Sequence, residues 1–254
     1  MKIYDPVPVD PIAAYVKSIM IIEHDPVGNL FNIPLFSNGT PTLVCSDVTI
    51  LIAGQAGHMF LFGQTVQPLQ LSVSGKFRLI SYFLQPETLC TLFGLAAGEL
   101  TDNPILLATI IPNADVQERL LNALDLRTQL RIIDQFLQEK IRVAKQVDRR
   151  ISYAAAFMNS VYDKHALAKL RNELYVTERT FERLFERYIG ITPNQFRRIS
   201  QFSNAFRQLN RPDFTDLSAI AFDHGYADQS HFNRAFKTFT GISPNAYLAA
   251  AKNI

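Results

Sequence analysis

The first third of the chain alternates short apolar runs with turn-forming residues. Such runs occur at residues 41–45, 48–53, 59–62 and 77–84, and Gly, Pro, Asn and Ser lie between them. Short strands at intervals of roughly 8 to 12 residues, separated by glycine and proline turns, predict a small β-barrel or sandwich. Two short helices are also predicted here, at residues 11–18 and directly after Pro86, where Leu89, Leu92 and Phe93 share one face.

Beyond residue 112 the apolar residues recur at steps of three and four, which is the period of an α-helix. These positions are Val116, Leu120, Leu121, Leu124, Leu130, Ile133, Phe136, Leu137 and Ile141. A break near Asp125 predicts two helices, and residues from 151 onward are predicted to be helical almost throughout. The predicted fold class is α+β, with a β-rich domain over 1–112, a helical linker or dimerisation segment over 113–150, and an all-α domain over 151–254.

The C-terminal part contains an internal repeat. Residues 177–196 align with residues 228–247 at an offset of 51, and seven of the 20 pairs are identical. Tyr175 and Tyr226 extend this alignment upstream, which pairs Leu174 with Gly225. Because a leucine in a left-handed turn costs about 1 kcal/mol or more, the first turn is expected to differ in shape from the second. One structural unit is therefore predicted to occur twice.

Each copy of the repeat predicts a helix with an apolar and a polar stripe. The apolar residues are Phe181, Leu184, Phe185 and Tyr188 in the first copy and Phe232, Ala235, Phe236 and Phe239 in the second. A shorter helix precedes each, over Ala166–Glu173 and Leu217–Asp223, across a turn of three or four residues. This order is typical of a helix-turn-helix unit. The alternative is a bundle of ordinary amphipathic helices with solvated polar faces, and the repeated register favours the first interpretation.

Composition excludes several classes of protein. Hydrophobic residues make up 48% of the 254 residues and charged residues 19%, which provides a core for two domains and rules out wholesale disorder. No apolar run reaches the roughly 18 residues of a membrane span, and the N-terminus lacks the pattern of a secretory signal, so we expect a soluble cytoplasmic protein. Cys45 and Cys90 are too few for a disulfide framework or a cysteine-based zinc site.

Charge is divided unevenly along the chain. Residues 1–150 contain 12 Lys and Arg against 14 Asp and Glu, whereas residues 151–254 contain 13 against 9. The helical part therefore carries an excess of four positive charges, and clustered positive charge favours contact with a phosphate backbone.

The second copy of the repeat contains a long ordered motif. Residues 217–247 read LSAIAFDHGYADQSHFNRAFKTFTGISPNAY. This run resembles the signature of the AraC/XylS family of bacterial transcriptional regulators, in which Ile-Ala, Gly-Tyr, Asp-Gln-Ser-His-Phe, Arg, Phe-Lys and Gly-x-Ser-Pro follow in this order. The resemblance extends over about residues 155–250, with a looser match in the first copy. The N-terminal half resembles the small, cupin-like β-barrel sensor domains that often precede this unit.

The resemblance implies two helix-turn-helix units that place their second helices in adjacent major grooves of double-stranded DNA, about 34 Å apart. A linker helix over Pro193–Leu209 would join them, with Phe196, Ile199, Phe206 and Leu209 facing inward. By family position, the residues expected to contact bases are Arg179, Glu182 and Arg183 in the first unit, and Gln229, Ser230, His231, Asn233 and Arg234 in the second. The resemblance also allows a small-molecule effector, a homodimer and RNA polymerase as partners.

The chemistry of these side chains supports several base contacts. Arg183 and Arg234 can each donate to O6 and N7 of guanine. Asn233 or Gln229 can pair with adenine.

Other polar side chains of the helical part have alternative roles. Glu182 accepts from cytosine N4 or pairs with arginines on its own helix. His231 reads a base or bonds the backbone or a phosphate. Arg197, Arg198 and Arg207 are expected to touch phosphates or solvent.

The N-terminal half contains no pattern typical of catalysis or metal binding. His24 and His58 are far apart and form no His-x-His pair, so a structural role is expected for each. A nucleophile elbow, a phosphate loop and a carboxylate pair are all lacking, so we expect no enzyme activity, no metal and no cofactor. The aromatic residues line an effector cavity or fill the core; they are Phe31, Phe36, Phe60, Phe62, Phe77 and Phe83.

These observations favour a sequence-specific DNA-binding transcriptional regulator with an N-terminal effector-binding or dimerisation domain. One alternative is a β-barrel ligand-binding protein or enzyme that carries a helical interaction module and does not bind DNA. Another is a dimerisation adaptor that keeps the helical fold without a DNA role, for which the acidic residues Glu182 and Glu186 are the support.

Overall fold

A computed structural model describes residues 1–26, 30–111, 114–146, 148–162 and 165–251. The predicted domain boundary at residues 112 and 113 lies outside the described residues. The strands are β1 (Lys2–Tyr4), β2 (Val16–His24), β3 (Phe31–Leu35), β4 (Thr42–Ile52), β5 (Gln55–Phe62), β6 (Leu69–Val73), β7 (Phe77–Leu84) and β8 (Ile105–Leu106). The helices are α1 (Leu107–Ile110), α2 (Ala114–Asn122), α3 (Leu126–Arg142), α4 (Arg149–Ser160), α5 (Ala166–Glu173), α6 (Glu178–Tyr188), α7 (Pro193–Leu209), α8 (Leu217–Asp223), α9 (Gln229–Thr240) and α10 (Pro244–Ala251).

Within the described part of the chain, eight strands form one antiparallel sheet. Its order is β1-β2-β7-β4-β5-β8, and β6 pairs with both β4 and β3. The register of β4 against β5 shifts between Cys45 and Ile50, so that the first half of β4 pairs with β7 and the second half with β6. Such an irregularity bends a strand, and the sheet bends with it. The predicted α+β class, with an N-terminal antiparallel sheet and a helical C-terminal part, is confirmed.

The structure corrects several details of the predicted β-rich part. The runs at 41–45 and 48–53 belong to the single strand β4. The helix predicted over 11–18 is wrong beyond a 3-10 turn at Ile12–Ala14, because the chain from Val16 onward pairs with β7. The helix predicted after Pro86 is only one π-helical turn, Leu89–Phe93, which ends at Gly94 with φ of 68°. At residues 16–18, strand pairing distant in sequence outweighs local helical spacing.

The central strands are buried on both faces, which explains their unbroken apolar runs. On β4, Val44 packs into a core inside the bent sheet together with Phe60. Its neighbour Leu43 faces a second core, to which α3 contributes Ile133. Successive residues of a strand point to opposite faces, so one strand contributes to two cores.

The two helices predicted on either side of Asp125 are confirmed as α2 and α3. Asp125 caps α3, because its carboxylate accepts hydrogen bonds from the Thr128 amide at 2.9 Å and hydroxyl at 2.7 Å. The Tyr82 hydroxyl of β7 donates to Asp134 of α3 at 2.7 Å. This bond ties α3 to the back of the sheet.

The helices α4 to α9 share one buried cluster of apolar side chains. The linker helix α7 has the predicted bounds, and Phe196, Ile199 and Leu209 are buried as predicted. Phe206 is only half-buried. Its ring packs against Phe36 of the N-terminal half, with ring centroids 5.6 Å apart. The linker helix therefore contacts both halves of the molecule.

Polar contacts also connect the two halves. The Thr101 hydroxyl donates to the Gly190 carbonyl, which follows α6, at 3.0 Å. The Ser152 hydroxyl of α4 donates to Glu87 at 2.7 Å. None of the helices among the described residues is both long enough and apolar enough to cross a membrane.

Candidate nucleic-acid interface

Both predicted helix-turn-helix units are present, and their turns close in the same way. At the end of α5, the Tyr175 amide donates to the Asn172 carbonyl and the Val176 amide to the Arg171 carbonyl, at 3.2 and 3.1 Å. At the end of α8, the amides of Gly225 and Tyr226 donate to the carbonyls of Phe222 and Ala221, at 3.1 and 2.8 Å. This pair of bonds is the Schellman arrangement, which requires a left-handed residue after the helix.

The left-handed position corrects the alignment of the turns. Tyr175 has φ of 52° and Gly225 has φ of 69°, whereas Leu174 is right-handed with φ of −87°. Tyr175 is therefore the counterpart of Gly225, and Val176 is the counterpart of Tyr226. The second turn contains one residue more before its second helix, so the offset of 51 holds only from Thr177 onward. The strain expected at Leu174 falls instead on Tyr175.

The second helix of each unit begins directly after a capping residue. The Thr177 hydroxyl accepts from the Thr180 amide at 3.3 Å, and the Asp228 carboxylate accepts from the His231 amide at 2.6 Å. Each cap satisfies an amide that would otherwise lack a partner in the helix. The N-terminal ends of α6 and α9 are therefore capped in the same way.

The apolar stripes of α6 and α9 are buried in the shared core. Phe181, Phe185, Phe232 and Phe236 are at most 2% exposed. Their burial fixes which side of each helix faces out, because residues three and four apart share a face. We name the outward residues Arg179, Glu182 and Arg183 the first reading face, and Gln229, Ser230, His231, Asn233 and Arg234 the second reading face.

All three residues of the first reading face are exposed. Glu182 forms no ion pair with another described residue; on this helix Glu178 pairs instead, with Arg171 at 3.7 Å. The first reading face is therefore open toward solvent, with two guanidinium groups on either side of one carboxylate.

The second reading face is partly engaged in the structure of its own unit. Gln229 accepts from the Ser218 hydroxyl at 3.1 Å, and the His231 Nδ1 atom accepts from the Ala227 amide at 3.3 Å. Asn233 is half-buried, and its Oδ1 atom has no partner among the described residues. Ser230 and Arg234 are exposed. The backbone role considered for His231 is therefore present in the structure.

The linker helix anchors the second unit through polar contacts. The Gln201 amide donates to the His224 carbonyl at 2.8 Å, and His224 Nε2 lies 2.6 Å from Gln208 Oε1. Burial lowers the pKa of His224, with an opposing effect from the charge of Asp223. The neutral ring donates from Nε2 to Gln208, since the Gln208 oxygen is an acceptor only.

Two cavities near the linker helix were not predicted from the sequence. One, of about 830 Å³, lies between α7 and α9 and includes Arg197 and Arg234 in its wall. The other, a cleft of about 400 Å³ between β2 and α7, has Lys17 on one side and Arg207 on the other. Partial desolvation, together with the charge of Arg207, lowers the pKa of Lys17, whose side chain still reaches solvent. No local pattern indicates either cavity, because each joins segments distant in sequence.

The other candidate side chains of the N-terminal half lie in structural positions. His24 packs edge-on against Phe31 with ring centroids 4.7 Å apart, and His58 Nε2 lies 3.3 Å from the Thr49 hydroxyl. Among the described residues no group of three or more His, Cys, Asp or Glu side chains is placed to hold a metal ion. Burial raises the pKa of the Cys45 thiol, which keeps it protonated and unreactive.

Two family models match the chain. Residues 170–250 match the model described as "Helix-turn-helix domain", and residues 5–105 match a "Domain of unknown function (DUF6597)". The "Probable transcriptional regulator LumQ" of Photobacterium leiognathi is 30% identical over 87 residues, which is 33% of this chain and 34% of that protein. An "Uncharacterized HTH-type transcriptional regulator" of Haemophilus influenzae is 27% identical over 101 residues, 39% of this chain and 34% of that protein. The match thus spans about a third of the length of these curated relatives.

The fold extends the similarity to the N-terminal half. ToxT from Vibrio cholerae has a similar structure, with a TM-score of 0.56 and 13% identity over 91% of this chain and 98% of that one. ToxT is thus similar in the arrangement of both halves, sheet and helices alike. Taken with the motif at 217–247, the paired units and the family match, these findings show that residues 170–250 form a helix-turn-helix domain of the AraC type.

Proposed function

We propose that this chain is a sequence-specific DNA-binding transcriptional regulator that inserts α6 and α9 into successive major grooves. The observation that carries the proposal is the pair of equivalent helix-turn-helix units at the two ends of one linker helix. The 17 residues of α7 make it about 25 Å long. With one unit at each end, this length suits grooves about 34 Å apart on one side of the duplex. The names of the curated relatives, both transcriptional regulators, support the same function.

The two reading faces supply the base contacts in this proposal. Arg183 and Arg234 are exposed arginines near the middle of their helices, suited to guanine O6 and N7. Arg179 and Glu182 complete the contacts of the first unit, the latter with cytosine N4 as its partner.

In the second unit, Ser230 is exposed, while Gln229 and His231 combine a structural bond with a base contact. Asn233 contributes from its half-buried position through its amide nitrogen, since its oxygen is buried. Arg234 is therefore the residue of the second reading face on which sequence preference most depends.

In-vitro selection of duplexes bound by the full-length protein tests the function. We expect a selected site with two half-sites one helical turn apart. Arg234→Ala should relax the preference at one base pair, at a cost of about 1–3 kcal/mol for the selected site. Arg142→Ala, an exposed arginine on α3, is the matched control and should bind as the wild type does. Failure to select any sequence would contradict the proposal, and turnover of a small molecule in its place would favour the β-barrel alternative.

We further propose that the cleft between Lys17 and Arg207 binds an effector with a carboxylate group. Two cations of different halves face one cleft, and a carboxylate placed there would relieve their repulsion. ToxT has also been solved bound to (E)-4-(8-methylnaphthalen-1-yl)but-3-enoic acid, a carboxylic acid, and that structure is similar to this chain with a TM-score of 0.53. Because the cleft joins the sheet to the linker helix, an effector there would influence the spacing of the two units.

Thermal denaturation with that acid as the probe tests the effector site. The acid should raise the Tm of the wild type, and its methyl ester should not, because the ester lacks the charge. Lys17→Ala combined with Arg207→Ala should abolish the shift. An equal shift with the acid and with the ester, or in the double variant, would contradict a carboxylate site.

The remaining expectations form part of the same proposal. The chain acts in the cytoplasm, where its DNA ligand is, and it performs no catalysis. The β-rich region over 1–112 contributes Lys17 to the effector cleft, the segment 113–150 joins the domains, and 151–254 binds DNA and contributes Arg207 to the same cleft. Leu121 and Leu124 on and after α2 are exposed, at 37% and 96%, and support a homodimer through this segment. RNA polymerase is a further proposed partner.

A further inference from the structure

The cavity between α7 and α9 is lined by positive charge. Arg197 and Arg198 of α7 lie on one side, and Arg234 of α9 lies on the other, beside His231. The described residues of its wall include no carboxylate. A cavity of about 830 Å³ with several cations and no internal counter-charge is suited to an anion.

A buried hydroxyl gives this cavity a second polar feature. Tyr226 lines the cavity, is only 7% exposed, and its hydroxyl has no hydrogen-bond partner among the described residues. A buried hydroxyl without a partner is costly, so an acceptor that reaches it gains a bond at little further desolvation cost. Arg197 and Arg198 line the same cavity as this hydroxyl.

The two arginines on α7 repel each other. Burial lowers the pKa of Arg197, and the neighbouring charge of Arg198 lowers it further. The Arg197 Nη2 atom donates to Asn194 at 3.3 Å, which leaves its other guanidinium donors available. A bound anion would relieve the repulsion and accept hydrogen bonds from both arginines.

We propose that this cavity between α7 and α9 holds a phosphate group of the DNA backbone, on the stretch of duplex between the grooves that α6 and α9 enter. The inference rests on the proposed function. His231 and Arg234 belong to the second reading face, and α7 follows directly on the first unit, so a backbone strand between the two grooves passes this cavity. Arg197, Arg198 and Tyr226 then position the duplex for both units without reading its sequence. A free phosphate-bearing molecule has the same chemistry, and the experiment distinguishes the two sources.

The test compares full-length Arg197→Ala, Tyr226→Phe and wild type, with Arg142→Ala as control. Each protein binds the selected duplex and an unrelated duplex over a series of salt concentrations. Arg197→Ala should weaken binding to both duplexes equally, about tenfold, and reduce the slope of log affinity against log salt by about 0.9. Tyr226→Phe should weaken both about threefold with the slope unchanged, because a neutral donor is lost. Its Tm without DNA should not fall below the wild-type value, since the hydroxyl has no described partner to lose and its removal relieves the cost of burying it unpaired.

The outcomes separate this proposal from the proposed function. If the wild type binds DNA and neither Arg197→Ala nor Tyr226→Phe changes the affinity, the phosphate site is refuted and the proposed function still stands. A loss confined to the selected duplex would overturn it as well, because that is the behaviour of a base contact. Absence of DNA binding by the wild type would refute the function and this inference together. A parallel experiment measures the Tm with inorganic phosphate. The cavity would bind a free phosphate-bearing molecule and not the DNA backbone if phosphate raised the Tm of the wild type but not of Arg197→Ala, while the substitution left the DNA affinity unchanged.

Discussion

The turn of the second helix-turn-helix unit offers a sharp test of the structure. Gly225 has φ of 69°, and a Cβ atom added to it would lie 3.1 Å from the Cβ atom of Tyr162. An alanine in a left-handed conformation costs about 1–2 kcal/mol, and the restriction of the unfolded chain returns about 0.4–1 kcal/mol. The close contact with Tyr162 adds to the cost. Gly225→Ala should therefore reduce the free energy of unfolding by about 1 kcal/mol or somewhat more.

The first turn supplies the matched control. Tyr175 has the equivalent left-handed conformation, and its side chain is 96% exposed. Tyr175→Ala keeps the same backbone strain and removes almost no contact, so it should change the stability by less than about 0.5 kcal/mol. Tyr175→Gly should stabilise the protein slightly, because relief of the strain exceeds the added freedom of the unfolded chain.

Thermal denaturation of the full chain, followed by circular dichroism, measures these changes. A loss of 1 kcal/mol corresponds to a Tm lower by about 2–4 °C in a chain of this size. An unchanged Tm in Gly225→Ala would refute the left-handed turn. A loss as large in Tyr175→Ala would refute the equivalence of Tyr175 and Gly225.

Three further predictions concern stability. Tyr82→Phe removes the hydroxyl that donates to Asp134 and should lower the free energy of unfolding by about 1.5–3 kcal/mol in urea denaturation at pH 7, whereas unchanged stability would mean that this bond contributes nothing. Burial raises the pKa of Asp134 above its ordinary value of 3.8, although the hydrogen bond from Tyr82 lowers it. The folded chain therefore binds this proton more tightly than the unfolded chain does. The stabilisation from this proton is largest below pH 3.8 and is lost as the pH rises through the pKa of the folded state. Asp134→Asn should flatten that fall in denaturation curves taken across the acid range, and an identical pH profile would contradict the assignment. Asp228→Ala removes the cap of α9 and should cost about 1 kcal/mol, while Asp228→Ser should restore most of it.

The helical half is largely predictable from sequence because its signals are local. The bounds of α5 and α8 agree with the predicted ones to the residue, since turns and apolar spacing lie within a few positions of each other. The bounds of α7, which the family resemblance implies, agree as well. The β-rich half is less predictable. The strand β2 was mistaken in part for a helix, and β1, β3 and β6 were not identified, because their partners lie far away in the chain.

The candidate interface divides in the same way. The sequence placed Arg179, Glu182 and Arg183 on an outward face, because a helix with buried phenylalanines on one side has only one other side. It could not show that Asn233 is half-buried, because the packing of neighbouring helices decides that. Which of these residues contact bases stays a prediction.

By itself, then, the amino-acid order determined two amphipathic helices and the shorter helix before each, and the family resemblance added the linker between the two units. Only the tertiary structure decided that Tyr175 is the left-handed residue, that Arg197, Tyr226 and Arg234 surround one cavity, and that Lys17 faces Arg207 across a cleft. The physical reason is that the interactions involved act over different distances along the chain. Helical periodicity and capping act over a few residues, whereas burial, charge proximity and cavity shape arise from segments brought together by the whole fold.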